Sequence, residues 1–464
     1  MKRTLTSLPA LVLAIGILFL FSANCEGQRR SPNIVLIVSD DMGYADIGIH
    51  GSQDISTPNI DELARGGTRF TDAYVSGPYC SPTRAGLMTG RYQERFGHEF
   101  NPDGSEAMRH VLGLPLTEVT IADYFRAAGY RTALFGKWHL GSSEEFHPMS
   151  RGFDEFFGFL GGDHSYIDPQ LSGPDPLLDG RKPVEKTEYL TDVFTDRAVE
   201  FIKSNRTRPF FLYLAYNSVH TPLQAPEKYL KRFPQIADRT RRTYAAMLSA
   251  MDDGIGRTLS ALKDTGLEED TLIIFLNDNG GPTMPGTTVN GSSNAPFRGS
   301  KRQTWEGGIR VAFMIRWKGK LAEGKTDSRP IIQLDVLPTA LAAAGIRPKP
   351  QSNLDGVNLL PFLSGKKSGR VHEALYWRLG ENMAIREGDW KLVKTVDGRL
   401  FGADPNVPGY LAGVELYDLK NDAGESKNLA AANPKRVKEL VAAWTLWNKM
   451  LSKPLWGPGP RPSR

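Results

Sequence analysis

The sequence predicts an α/β fold: a large, mostly parallel central sheet with helices on both faces, plus a smaller C-terminal antiparallel-sheet subdomain with a helix. Three observations predict it. Amphipathic segments alternate with short, continuously apolar runs, the pattern of strands buried on both faces. Polar residues stand at the carboxyl ends of four such runs, where open parallel sheets place their ligands. After about residue 345 the pattern changes to short alternating segments.

Residues 33–38 (Asn-Ile-Val-Leu-Ile-Val) read as the first buried strand, ended by Ser39, Asp40 and Asp41. Thr57-Pro58 supplies a cap and a first-turn proline for a short helix that Gly66-Gly67 closes. Residues 117–128 read as a helix stopped at Gly129. Residues 130–135 follow as a strand, with Lys137 and His139 beyond it. Residues 191–204 read as a helix, and Pro209 opens a strand over 210–216 that leads to Asn217 and His220. A long helix over 239–265 precedes the run 271–276, which ends in Asp278 and Asn279. Residues 308–317 and 331–344 add one strand and one helix. Pro348, Pro350, Gly356, Gly365 and Gly369 mark a linker. Segments 374–378, 383–386, 390–394 and 415–419 suggest the antiparallel sheet, and 434–451 its helix. The domains expected are a signal over 1–25, the α/β domain over 30–345, a linker over 346–370, the C-terminal subdomain over 371–453 and a loose tail over 454–464.

The N-terminus has the form of an export signal: Met1-Lys2-Arg3, an apolar run over residues 8–21, then Ser22-Ala23-Asn24-Cys25. Cys25 stands where a bacterial lipoprotein carries its lipid, whereas Ser22 and Asn24 fit that box poorly, so a lipid anchor at Cys25 stays open. The destination expected is periplasmic, extracellular or membrane-anchored. Cys25 and Cys80 are the two cysteines of the 464 residues. Removal or lipidation of the first leaves Cys80 a single thiol in an oxidising compartment. The 57 Lys and Arg against 52 Asp and Glu are spread along the chain. This suits an anionic substrate and excludes the concentrated basic stripe of a nucleic-acid binder.

Cys80-Ser81-Pro82-Thr83-Arg84 is the sharpest local signal. Pro82 suits a first helical turn, so Cys80 sits at a helix start, where backbone N–H groups favour an anion. Locally it reads either as a buried structural cysteine or as a group presented there. The five residues resemble the Cys-x-Pro-x-Arg signature of type I sulfatases of the alkaline-phosphatase-like superfamily. The similarity extends, in order, through Pro32-Asn33-Ile34 to Asp40-Asp41-Met42-Gly43-Tyr44, then Thr89-Gly90-Arg91 and Gly136-Lys137-Trp138-His139-Leu140-Gly141. It continues in Arg151-Gly152-Phe153-Asp154, His220-Thr221-Pro222, Asp278-Asn279-Gly280 and Arg298-Gly299-Ser300-Lys301 to Gly308.

The resemblance implies hydrolysis of sulfate esters, with Cys80 converted by a maturation enzyme to formylglycine. One hydroxyl of its hydrate attacks sulfur to give a sulfo-enzyme, and deprotonation of the second expels sulfate. Asp40, Asp41, Asp278 and Asn279, with the oxygen of the modified Cys80, would hold a divalent cation. Three carboxylates and an amide are hard donors, so Ca²⁺ is favoured over Mg²⁺. Arg84, Lys137 and Lys301 would neutralise the sulfate. His220, with Lys301, would protonate the leaving alcohol, and His139 would take the proton of the second hydroxyl. Asp278 is a further proton acceptor. Lys137, His220 and Lys301 also count as substrate-binding residues.

A sulfated carbohydrate is the substrate expected by analogy. Residues 95–101 and 163–166 are candidates for the pocket border, Gly280 to Ser293 for a rim loop, and Trp138 or Trp305 for a sugar platform. A phosphonate or phosphodiester hydrolase of the same superfamily is the alternative. A non-catalytic glycan-binding relative is the other.

Overall fold

The computed structural model describes residues 31–102, 111–172, 175–396, 404–407 and 409–457. The expected signal with Cys25 and the end of the tail lie outside the described residues. The apolar run after Pro32 forms strand β1 (Asn33–Ser39), every residue of it buried. Helix α1 (Pro58–Arg65), strands β2 (Thr68–Phe70) and β3 (Ala73–Tyr74), and helices α2 (Cys80–Thr89) and α3 (Ile121–Ala127) follow. Next come β4 (Arg131–Lys137), β5 (Glu155–Phe159), β6 (Leu178–Asp179), β7 (Lys182–Pro183), α4 (Leu190–Ser204) and β8 (Phe210–Ala215). Helix α5 (Arg239–Asp264) leads to β9 (Thr271–Asn277), β10 (Phe313–Arg316), β11 (Lys325–Asp327), β12 (Ile331–Ile332) and α6 (Val336–Ala343). The C-terminal part holds β13 (Leu375–Leu379), β14 (Asn382–Glu387), β15 (Trp390–Lys394), β16 (Glu415–Asp418) and α7 (Pro434–Asn448).

Ten strands form one sheet in the order β11-β2-β10-β9-β1-β8-β4-β5-β6-β7. Its centre, from β9 to β5, is parallel, and β10 and β6 flank it antiparallel. The alternation along β1 explains the two layers of helices. Ile34, Leu36 and Val38 pack with Leu87 of α2, Phe125 of α3 and Leu337 of α6. Val35 and Ile37 point the other way, among Phe194 of α4 and Leu248 of α5. A second, antiparallel sheet runs β13-β14-β15-β16. Its Trp377, Ile385 and Leu392 pack on Leu440, Trp444 and Trp447 of α7, and on Tyr74, Val75 and Trp305 of the larger part. The expected fold class is therefore the observed one. No helix among the described residues is long and apolar enough to cross a membrane.

Three elements differ from the sequence reading. The helix expected from residue 117 starts at Ile121, because Thr120 and Asp123 form a capping box there. The strand expected over 308–317 shrinks to β10, since Gly307 and Gly308 lie in the short helical turn Glu306–Ile309. The helix expected from 331 opens with β12 and a tight turn, because the Asp335 carboxylate accepts the Ile332 N–H at 3.0 Å.

Two long-range contacts stand in for local ones. The Thr57 side chain does not cap α1. Asp252 of α5 accepts the N–H groups of Asn59 and Ile60 instead, at 3.2 and 2.8 Å. Asp335 also accepts from Val357 N–H, at 2.7 Å, and pairs with His372 Nε2 at 2.8 Å, which ties the stretch between the two sheets to α6.

Candidate active site

The carboxyl ends of β1, β4, β8 and β9 meet at one place, and backbone hydrogen bonds join them. Asp40 N–H donates to Ser218 O at 2.9 Å, Val219 N–H returns to Asp40 O at 2.7 Å, and Asp278 N–H donates to Ser39 O at 3.1 Å. Asp41 turns left-handed (φ 59°), a conformation that Asp tolerates better than most residues. Gly136 precedes Lys137 in β4 with φ 121°, and a Cβ there would collide with the Ala215 carbonyl.

Cys80 is the first residue of α2, a helix buried along its whole length. Its Sγ lies 3.7 Å from Asp40 Oδ1. Burial pushes the thiol up to about 12, although Lys137 and Lys301 pull it down. Lys137 Nζ donates to Asp40 Oδ2 at 2.6 Å, and Lys301 Nζ to Asp41 Oδ2 at 2.8 Å. Burial would raise Asp41, but Lys301, His220 and Lys137 outweigh it and hold the carboxyl at about 2. Arg84, one turn into α2, donates from Nε and Nη2 to Asp278 Oδ2 at 3.0 and 2.8 Å, and from Nη1 to Lys137 O at 3.2 Å. Burial and Asp40 raise Asp278, against two hydrogen bonds from Arg84 that favour its ionised form. Three buried carboxylates thus meet three buried cations, as burial of charge requires.

The Arg84 guanidinium is fully enclosed and turned to Asp278, Lys137 O and the Tyr213 hydroxyl. His220 Nε2 lies 3.4 Å from Asp41 Oδ2, and its Nδ1 faces Thr221 O at 2.6 Å. Burial and Lys301 lower it to about 4, against the pull of Asp41. Burial and Lys137 lower His139 well below the usual range. Both imidazoles are thereby held below the ordinary histidine range.

The donor set fits a hard cation. Asn279 Nδ2 donates to Asp41 Oδ1 at 2.7 Å and to Gly280 O at 3.0 Å, which leaves its Oδ1 buried without a partner. Among the described residues, Asp278 Oδ1 accepts only a long bond, 3.3 Å, from Asp41 N–H. Ligand-capable atoms of Asp40, Asp41, Cys80 and His220 lie within 4.8 Å of one another. The oxygens of Asp40, Asp41, Asp278 and Asn279 match Ca²⁺ or Mg²⁺ chemistry, with the imidazole nearby but softer.

Several supports lie in segments that the sequence marks as border or rim, but in roles it does not specify. Ser81, next to Cys80, bonds through Oγ to His98 Nε2 and His139 O, both at 2.6 Å, and its N–H is capped by Asn101 Oδ1 at 3.1 Å. Trp456 holds that loop from the tail: its indole N–H donates to Phe100 O and Asn101 O, at 3.1 and 2.8 Å. His98 and Asn101, within the segment expected at the border, thus brace the residue beside Cys80. Tyr166 OH donates to His220 O at 2.9 Å and so braces the His220 turn. The loop read as a rim is pinned at Asn290, whose amide bridges Asp41 O and Val219 O, each at 3.0 Å. Trp138 and Trp305 are buried, the first bonded to Phe146 O and the second covered by Arg298, so neither is a sugar platform.

Comparison with known proteins agrees with this geometry. The sulfatase family model matches residues 32–346, and the model for the C-terminal part of N-sulphoglucosamine sulphohydrolase matches 299–452. The chain is 33% identical to mouse (Mus musculus) N-acetylgalactosamine-6-sulfatase over 83% of its length and 76% of that protein. It is 32% identical to the uncharacterized sulfatase YdeN of Escherichia coli, over 90% and 86% of the two chains. Among solved structures, Ps i-CgsB in complex with k-i-k-neocarrahexaose superposes with a TM-score of 0.82 at 36% identity, covering 92% of this chain and 95% of that one. The chain belongs to the sulfatase family, the sulfuric ester hydrolases of the alkaline-phosphatase-like superfamily.

Proposed function

We propose that this chain is an exported sulfatase that removes sulfate esters from a sulfated saccharide, with Cys80 matured to formylglycine. The observation that carries the reading is the buried cluster around Cys80, in which Asp40, Lys137, Asp41 and Lys301 interlock at 2.6–2.8 Å. A thiol raised to about 12 is protonated at neutral pH and a poor nucleophile, which favours a converted side chain. Similarity to N-acetylgalactosamine-6-sulfatase and to a structure holding a neocarrahexaose supports the saccharide. The signal-like start supports export, to the periplasm, the exterior or a lipid anchor at Cys25.

Asp40, Asp41, Asp278 and Asn279, with the oxygen of matured Cys80, would hold Ca²⁺. A bound Ca²⁺ supplies polarisation of the sulfate and of the attacking hydroxyl. The three carboxylates and the three cations of the cluster balance in number. A divalent cation held there would add two positive charges to receive the sulfate. Lys137 and Lys301 carry that charge at the sulfate oxygens. Burial opposes the Lys301 ammonium, yet Asp41 keeps it above the ordinary lysine value, so it retains its protons. Arg84 fixes Asp278, which stands ready to accept the first proton. Lys301, which keeps its protons, supplies one to the leaving alcohol, with His220 relaying it through Nε2, and His139 removes one from the second hydroxyl.

The test is release of inorganic sulfate from defined sulfated saccharides by native-host protein. Cys80→Ser should lower kcat by at least ~10³-fold with an unchanged Tm. Full activity in that variant, or an unmodified thiol at Cys80 in the active protein, overturns the scheme. Chelation should lower both activity and Tm, and Ca²⁺ should restore both. Restoration by Mg²⁺ alone would overturn the choice of ion.

A further inference from the structure

We propose that Arg302 reads a second acidic group of the substrate, a sulfate ester or a carboxylate, beside the sulfate that is cleaved. The proposal rests on the saccharide reading above and deepens it. Arg302 directly follows Lys301, and both cations face one ring: Lys301 Nζ lies 5.6 Å and Arg302 Cζ 5.1 Å from the ring centre of Tyr79. Tyr79 is the residue before Cys80, so Arg302 stands at the border of the site.

Its backbone is held there. Arg302 is left-handed (φ 74°) without being a glycine. Its N–H donates to Pro78 O at 2.6 Å, and Asn382 Nδ2, at the start of β14, donates to its carbonyl at 3.2 Å. A residue persists in this conformation when its surroundings enforce it, and such positions gather at ligand sites. The side chain is half-buried, yet no carboxylate among the described residues answers its charge. Nη2 donates to the Tyr79 hydroxyl at 3.1 Å, and the buried Nε has no acceptor. Arg84, Lys137 and Lys301 each have an aspartate, whereas Arg302 has no carboxylate within ion-pair distance among the described residues. A planar guanidinium matches the paired oxygens of a sulfate or a carboxylate, and partial burial strengthens that match. Cleavage of a single sulfate engages Lys137 and Lys301 and leaves Arg302 without a counter-charge, which a second acidic group would supply.

The experiment compares kcat/KM for three saccharides of one backbone: monosulfated, disulfated on neighbouring positions, and monosulfated beside a uronate. Wild type should favour a doubly charged substrate by about tenfold or more. R302A should bring that ratio close to one, chiefly through KM, and R302K should recover part of it. Preference for the disulfated or the uronate arm identifies the group. Equal efficiency of wild type on all three, or an R302A loss shared equally by the monosulfated substrate, overturns the proposal. Should R302A fail to fold, the R302K ratio decides by the same criterion. Activity on an aryl sulfate but on no saccharide would instead overturn the saccharide reading, and the proposal with it.

Discussion

His220 faces Asp41 through Nε2 while the Thr221 carbonyl engages Nδ1, so one nitrogen alone is free to exchange a proton with a ligand. If that proton goes to the leaving alcohol, His220→Ala should slow substrates with poor leaving groups about tenfold or more beyond its effect on activated aryl sulfates. Parallel kcat measurements on the two classes check this, and equal losses would remove the role. The residues around His220 were legible to different degrees. Asp40, Asp41, Cys80, Lys137 and Lys301 sit in short motifs at strand or helix ends, where local chemistry is distinctive. His98, Asn101 and Asn290 are ordinary polar residues in loops. Their importance arises from partners 17 to 249 residues away, which no local pattern displays. The low proton affinity of His220 and His139 was equally hidden, since burial and neighbouring lysines create it.

Among the elements, α1 shows how a sequence signal can be right for an indirect reason. Thr57-Pro58 marks the helix start, yet the orphan N–H groups go to Asp252 on α5. Asp252→Ala should therefore destabilise the protein by about 1–2 kcal/mol, and Thr57→Ala should cost less at this cap; denaturant titration of both variants decides. Strand and helix assignments succeeded where the apolar run was long and buried on both faces, as in β1, β8 and β9. They failed where hydrogen bonding from one side chain overrode the pattern, as at Thr120 and Asp335. The two-residue strands β3, β6, β7 and β12 carry too few side chains to produce a period.

The whole molecule is held together by contacts between its two sheets. Lys391 of β15 pairs with both Glu306 and Glu425, each at 2.8 Å and out of solvent, and the Thr304 hydroxyl donates to Met383 O and Lys394 O at 3.2 Å. The loop that carries Lys301 is thus clamped by the C-terminal sheet. The His372–Asp335 pair adds a pH-dependent tie. Burial opposes the imidazolium, but Asp335 raises it above 6.5. A raised histidine contributes its full stabilisation below the unfolded value and loses it as pH climbs through the folded one. Stability should accordingly fall as pH rises above 6.5, and His372→Gln should flatten that portion of the profile, as thermal melts across pH 5–9 would show.

The seclusion of Cys80 bears on when the proposed conversion would have to occur. Its neighbours arrive from residue 40 at one end and residue 301 at the other, and the loop behind it is latched by Trp456, close to the last residue described. Under the proposed maturation, an oxidising enzyme would have to reach that sulfur before the later segments close over it. Folding and conversion would then compete, and a molecule that folded first would keep its thiol out of reach.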